Sequence, residues 1–347
     1  MKPTLSRREA LGGLSAVFAS AALAPWAISG DEPATQPAGQ WMGVHLTLGS
    51  DRSLRELAVQ VPKLAAIGIN AIIVEVNYSF DFKSAPELGG GGITAAEVRK
   101  LAAVCREQHV RLIPGFNCLG HQSWKQTTFA LLAKHPELDE TPGQYPDNKE
   151  IYCRSWCPRH PQISQIVFPL LDELADAFGS DAIHVGMDEV FIVSSEFCPR
   201  CKGTDPADSY AKAVNDIHEH VVDKRKLTMM MWGDRLLDGK AMKYGEWEAS
   251  ENATFPAIDK IPTDIVICDW HYEKRQEYPS VPLFVKKGFR VWPSSWKSDA
   301  NTRALREYAK TITSEKMVGQ LFTTWGYVKV ENLAAWPPIT AVLGKPG

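Results

Sequence analysis

Asp188 and Glu189 are adjacent carboxylates within the run Asp181–Val193 (DAIHVGMDEVFIV), and their types and spacing invite chemistry more directly than any other pair here. Two carboxylates held close in a partly dry pocket cannot both ionise easily, so one remains a proton donor near neutral pH while the other is an anion. That division of labour suits cleavage of a glycosidic bond. An Asp-Glu pair is also common as the solvated start of a segment, so its setting matters. Ala182–Val185 reads as a short buried strand, with His184 inside it and Gly186 directly after it. Neighbours within a strand point to opposite faces, so both acids serve one pocket only if the chain turns out of the strand, and Gly186 permits that turn. Strand ends of this kind carry the active sites of barrels built from alternating strands and helices.

The elements needed to position such a pair recur along the chain. Trp41–Thr47 (WMGVHLT) reads as a first strand, and apolar residues at helical spacing follow over Ser53–Ile67. Ile69–Val76 is a continuous apolar run, as expected of a buried parallel strand. Thr94 is a candidate cap for a helix reaching Gln108, and Val110–Phe116 is the third strand. Asn117–Pro161 is then too long for a plain connection in a compact domain, which suggests a functional loop. Helices are expected at Gln162–Phe178, Pro206–Lys224 and Asn301–Thr313, and further strands at Leu227–Trp232, Ile265–Trp270, Phe289–Trp292 and Val318–Thr324. Eight strands alternating with helices predict a (β/α)8 TIM barrel over residues 41–340. An open doubly wound sheet is the alternative, but no glycine-rich turn after the first strand offers a nucleotide site, and Gly89–Gly92 lacks the Lys of a phosphate loop.

Composition bounds the function. The 347 residues are 44% hydrophobic and 23% charged with net charge -3, so no basic excess exists to bind nucleic acid. Eleven Trp residues, several near strand ends, offer flat faces on which sugar rings stack. Ser6, Arg7 and Arg8 precede an apolar run from Leu11 to Ala24, too short to span a bilayer comfortably, which reads as a twin-arginine export signal over residues 1–29. Ala10 stands where that signal usually carries Phe, which leaves a Sec signal or an uncleaved anchor as alternatives. A Pro- and Ala-rich linker, residues 30–40, follows. The expectation is an exported bacterial protein, periplasmic or extracellular, with no membrane span once the signal is removed.

His184-Val185-Gly186-Met187-Asp188-Glu189 resembles the His-x-Gly-Gly-Asp-Glu motif of the family 20 glycoside hydrolases, the β-N-acetylhexosaminidases, with Met in place of the second Gly. Weaker likenesses keep the same order: Ile113-Pro114 to Gly120-His121, Met231-Trp232-Gly233-Asp234, Asp269-Trp270 and Thr324-Trp325. The resemblance implies an amino-sugar glycan as partner and no cofactor for catalysis. Glu189 would be the general acid and base, and Asp188 would orient the substrate's 2-acetamido group, whose oxygen attacks the anomeric carbon in place of an enzymic nucleophile. Trp232, Trp270 and Trp325 would wall the sugar, and His121 and His184 would support the carboxylates. The family's Arg after the first strand is replaced by Val44-His45-Leu46-Thr47, and Gly326-Tyr327 stand where a Glu follows the last Trp. Trp292, Trp296 and Asp299 occupy the region of its seventh-strand Tyr and Asp, and no stretch before Trp41 reads as its small β-rich domain. These departures leave a second reading open, a carbohydrate-binding barrel without turnover. A metal-dependent hydrolase would want His-x-His after the first strand, where His45 stands alone.

Seven cysteines remain. Cys153 with Cys157, and Cys198 with Cys201, flank the Asp-Glu motif, and the spacings admit a structural zinc held by all four or, after export, disulfides. Cys105, Cys118 and Cys268 lie in apolar contexts and read as packed thiols.

Overall fold

The computed structural model describes residues 40–345. The expected export signal and all of the linker except Gln40 therefore lie outside the described residues. From Trp41 onward the chain forms a closed barrel of eight parallel strands, each hydrogen-bonded to its neighbours in sequence order. They are β1 (Trp41–Thr47), β2 (Ala71–Glu75), β3 (Arg111–Cys118), β4 (Ala182–Gly186), β5 (Thr228–Trp232), β6 (Val266–Trp270), β7 (Arg290–Ser295) and β8 (Gly319–Thr323). Pairing of Trp41 with Gly319 through His45 with Thr323 closes the ring. The chain is thus a (β/α)8 barrel.

Local sequence explains the surrounding helices. Helix α1 (Asp51–Ala66) starts at Ser50, whose hydroxyl accepts the Ser53 N–H. Helix α2 (Ala95–Glu107) is capped by Thr94, as expected, and the Asp51 carboxylate accepts the Thr94 N–H at 2.8 Å, tying the two helix starts together. Helix α3 (Ile163–Phe178) ends on Gly179 in the left-handed region, and α4 (Pro206–His218) begins on the Asp205 cap. Beyond His218 the expected helix widens into a π-turn over Glu219–Lys224. Helices α5 (Ser280–Lys287) and α6 (Asp299–Lys310) follow β6 and β7. Between β5 and β6 the usual barrel helix gives way to single turns at Gly239–Met242 and Gly245–Glu248 and a 3-10 segment at Phe255–Asp259. Among the described residues no helix is long and apolar enough to cross a membrane.

The barrel interior is packed rather than hollow. Ile73, Ile113, Met230, Trp232, Trp292 and Leu321 are each fully buried there. The Trp292 ring fits because Gly43 has no side chain: a Cβ at that position would lie 2.2 Å from the indole. Its Nε1 donates to the Trp41 carbonyl at 3.1 Å, joining β7 to β1 across the bottom of the barrel. Cys105, Cys118 and Cys268 are buried.

A buried ionic cluster fixes the chain after β6. His271 bonds through Nδ1 to Glu248 Oε2 at 2.9 Å and through Nε2 to Ser280 Oγ at 2.7 Å, with Asp269 Oδ1 at 3.1 Å. Burial alone would lower the imidazole, but Asp269 and Glu248 carry it from 6.5 up to about 9. The folded protein therefore binds this proton more tightly than the unfolded chain. The stabilisation is complete below pH 6.5 and is lost as the pH rises through about 9. Thermal melts of wild type and His271→Gln across that range should converge as pH rises, and parallel curves would show that His271 carries no such charge.

Candidate active site

The carboxylate pair Asp188 and Glu189 stands where β4 ends, and the turn after it is made by three residues with positive φ. Gly186 lies at φ 67°, Met187 at φ 74° and Glu189 at φ 48°. A Cβ on Gly186 would meet the Asn117 side chain at 2.7 Å, so only glycine fits between β4 and the end of β3. Met187 occupies left-handed backbone that costs a side-chain-bearing residue about 1 kcal/mol or more. Its carbonyl accepts the buried Tyr210 hydroxyl at 2.8 Å, and its own side chain is buried. The double turn brings Asp188 and Glu189 to the same cavity, of about 670 Å³, which all the strand ends except that of β5 reach directly and which β5 reaches through Trp247 in its following loop.

His121, from the loop after β3, bridges the pair: its Nε2 lies 3.3 Å from Asp188 Oδ2 and 3.3 Å from Glu189 Oε2. Burial opposes a charge on this ring, but Asp188, with hydrogen bonds to both carboxylates, raises it well above 6.5, so His121 is an imidazolium at neutral pH. Asp188 is 5% exposed, and burial raises its carboxyl against the pull of His121. Its Oδ1 is buried without a hydrogen-bond partner. An anionic oxygen left unpaired at a cavity wall is costly unless a ligand satisfies it.

Asp234, just beyond β5, holds the pair from behind. Its Oδ2 accepts the Glu189 N–H at 2.9 Å and Arg235 Nε at 2.7 Å, while Oδ1 accepts Trp270 Nε1 at 3.2 Å. Burial, opposed by Arg235, raises this carboxyl to about 6. Arg235 in turn donates to the carbonyls of Glu246, Trp247 and Ala249 at 2.5, 2.9 and 2.8 Å, so the same ion pair shapes the loop that carries Trp247.

Aromatic rings form the walls. Trp270 lies against Tyr272 with centroids 4.7 Å apart, and Trp325 Nε1 donates to the Tyr272 hydroxyl at 2.6 Å. The phenolic hydrogen is thereby left for another acceptor, and burial holds the phenol well above its ordinary value of 10.0. Tyr152 lines the same cavity as Glu189 and packs against Trp247 and Trp124. A polar corner completes the cavity: Glu75 receives Asn77 Nδ2 at 2.8 Å and Asn117 Nδ2 at 3.2 Å, with His45 Nε2 at 3.3 Å. Those bonds and the His121 charge outweigh burial and hold Glu75 below the ordinary carboxylate range.

Of the residues expected from the sequence, Asp188, Glu189, His121, Trp270 and Trp325 meet at the cavity. His184 and Trp232 do not reach it. They stack one layer below, ring centroids 4.5 Å apart, beneath Trp325. His184 accepts the Gly186 N–H at 3.2 Å, and burial, then His45, keeps it well below 6.5, so it is a neutral packing residue rather than a support for the carboxylates. Trp296 lines the cavity, whereas Trp292 is in the core and Asp299 begins α6. The four-cysteine set also separates. Cys157, Cys198 and Cys201 meet one another, but Cys153 Sγ points to the Glu189 carbonyl at 3.6 Å. Glu75, Asn77, Asn117, Tyr152 and Tyr272 join the cavity unforeseen. Glu75 and Tyr272 sit at or just past strand ends, a position that could have drawn attention to them, while Tyr152 lies in irregular chain with no periodic signal.

A closed parallel barrel with a carboxylate pair among aromatic rings at its strand ends belongs to the class of barrel enzymes that build their sites on the βα loops. More particularly, the chain belongs to glycosyl hydrolase family 20, whose catalytic-domain description matches residues 43–334. A β-hexosaminidase of Vibrio furnissii is 24% identical over 233 residues, covering 66% of this chain and 35% of that protein. This chain thus spans about a third of that relative's length. Among solved structures, a Bacteroides fragilis β-N-acetylhexosaminidase superposes with TM-score 0.61 at 13% identity, covering 89% of this chain and 65% of its own. A Flavobacterium johnsoniae chitobiase gives 0.62 at 17% identity, covering 89% and 48%.

Two outcomes are expected from this geometry. In NMR titrations of the imidazole resonances, Asp188→Asn should bring His121 back down towards 6.5, and an unmoved His121 would contradict the pairing. Asp234→Asn puts an amide N–H among three donors and strips Arg235 of its counter-charge, so urea unfolding should register a loss of about 3–5 kcal/mol. A loss below about 1 kcal/mol would mean that the ion pair does not organise these loops.

Proposed function

We propose that the chain is an exported glycoside hydrolase that removes or cleaves beside β-linked N-acetylhexosamine, with the substrate's own acetamido oxygen as nucleophile. The observation that carries this reading is the unpaired Asp188 Oδ1 beside Glu189 and facing a wall of aromatic rings. Asp188 Oδ1 accepts the acetamido N–H, and the free Tyr272 hydrogen is donated to the acetamido oxygen, which aims that oxygen at the anomeric carbon. As the C–O bond forms, Glu189 donates its proton to the departing glycosidic oxygen. The positive charge on the cyclised intermediate is offset by the Asp188 carboxylate. Water then adds to the anomeric carbon, Glu189 takes its proton, and the ring reopens with the original configuration retained.

The Glu75, Asn77 and Asn117 corner supplies acceptors and donors for sugar hydroxyls, in a site where Val44-His45-Leu46-Thr47 stand in place of the stretch bearing the family's arginine. The rim is broad and aromatic, with Trp124 and Trp247 each 46% exposed and Tyr327 70% exposed. Such platforms suit further sugar units beyond the one cleaved. Export rests on the leader read in residues 1–29, and cell fractionation of the source bacterium or of an expressing host tests it.

Hydrolysis of aryl β-N-acetylglucosaminide and galactosaminide, with and without a thiazoline mimic of the cyclised intermediate, tests the mechanism. Turnover blocked by the mimic is the expected result. Glu189→Gln should lower kcat by about 10²–10⁴-fold while sugar binding persists. Asp188→Asn should penalise substrates bearing the 2-acetamido group most. Equal losses on glycosides lacking it would refute substrate assistance, and a folded protein that binds glycans without turnover would favour the binding-barrel reading.

A further inference from the structure

Beside the active site, three thiols and a carboxylate converge in a way the hydrolytic mechanism does not use. Cys157 Sγ lies 3.3 Å from Cys201 Sγ and 3.4 Å from Cys198 Sγ. Glu140 is fully buried, and a carboxylate oxygen of Glu140 and the three sulfurs all lie within 4.8 Å of one another. Glu140 Oε1 accepts the Ser195 N–H at 2.9 Å, but Oε2 has no hydrogen-bond partner. We propose that Glu140, Cys157, Cys198 and Cys201 form a structural zinc site that fastens the loop after β3 to the loop after β4.

The donor set fits zinc in number and kind. Four-coordinate zinc with Zn–S bonds of about 2.3 Å spaces its sulfurs about 3.8 Å apart, close to the separations present here. A disulfide needs sulfurs about 2.05 Å apart and would use two of the three thiols, leaving the third and the Glu140 oxygen unsatisfied. The chain also repeats one local device. Cys157-Pro158-Arg159 and Cys198-Pro199-Arg200 share a Cys-Pro-Arg tripeptide. His160, three residues after Cys157, instead accepts the Gln162 N–H at 3.3 Å through Nδ1, so the carboxylate fills the fourth position.

The site would act on the pocket through short connections. Tyr152 and Cys153, which contact Glu189, sit five and four residues before Cys157 in the same strap. Ser195, held by Glu140, lies six residues after Glu189. A metal clamping Cys157 to the second loop therefore anchors both sides of the general acid.

Elemental analysis of the purified full-length protein should find one zinc per chain, released on titration of its thiols with a mercurial. Cobalt exchanged into the wild-type protein should show the intense thiolate charge-transfer and visible bands of a tetrahedral site, a readout that requires no variant to fold. Cys153→Ser should keep the metal, whereas Cys201→Ser should lose it and Glu140→Gln should weaken it by at least about tenfold. A metal-free protein with three alkylatable thiols, or a disulfide-linked peptide among Cys157, Cys198 and Cys201, would overturn the proposal. So would loss of zinc from Cys153→Ser.

Discussion

The geometry of the pocket depends on one buried ion pair. Asp234 takes hydrogen bonds from the Glu189 backbone, the Trp270 indole and Arg235, and Arg235 directs its remaining donors to the loop bearing Trp247. A buried carboxylate is costly unless its oxygens are filled by well-placed donors. Here three donors from three different strand ends fill them, so the pair is satisfied only when the acid, one wall and one rim residue are all in place. The left-handed backbone at Glu189 is held by the same contact, which offsets conformational strain that would otherwise let the side chain wander.

Charge in the cavity is balanced by equally few contacts. Asp188, Glu189 and Glu75 bring three carboxylates to one space, and His121 is the cation that faces the first two. Glu75 is instead quieted by His45 and two asparagine amides. His45 lies under the Trp325 ring, 4.6 Å between centroids, and so serves the floor of the site. The Glu75 corner of this pocket is accordingly built from a carboxylate and amides, which together donate and accept, rather than from a guanidinium that only donates.

Much of this was legible in the sequence where the physics is local. Continuous apolar runs marked the barrel strands, because parallel strands buried on both faces carry no alternation. Gly186 and the Asp-Glu pair revealed the site because a glycine turn at a strand end can swing two adjacent carboxylates into one pocket. Residues defined by tertiary contact were not legible. The family resemblance implied that His184 supports the carboxylates, yet β4 points it into the layer below. Cys153 looked like a metal ligand by spacing, whereas Glu140, with no motif around it, stands beside the other three sulfurs. Tyr152 reaches the cavity from a long irregular loop whose path is set by buried Arg154 contacts to Asp139 and to the carbonyls of Gln144 and Tyr145. Between β5 and β6 the sequence marked no helix, and the short turns there are held by Arg235, which donates to the Glu246 and Ala249 carbonyls.

The claim that Asp188 and Tyr272 together hold the acetamido group is tested most directly by a crystal structure with the thiazoline mimic bound. The account predicts the ring nitrogen within about 3 Å of Asp188 Oδ1, the sulfur facing the Tyr272 hydroxyl, and the sugar stacked on the Trp325 or Trp270 ring. A mimic bound with its five-membered ring turned away from Asp188, leaving Oδ1 unpaired, would contradict it.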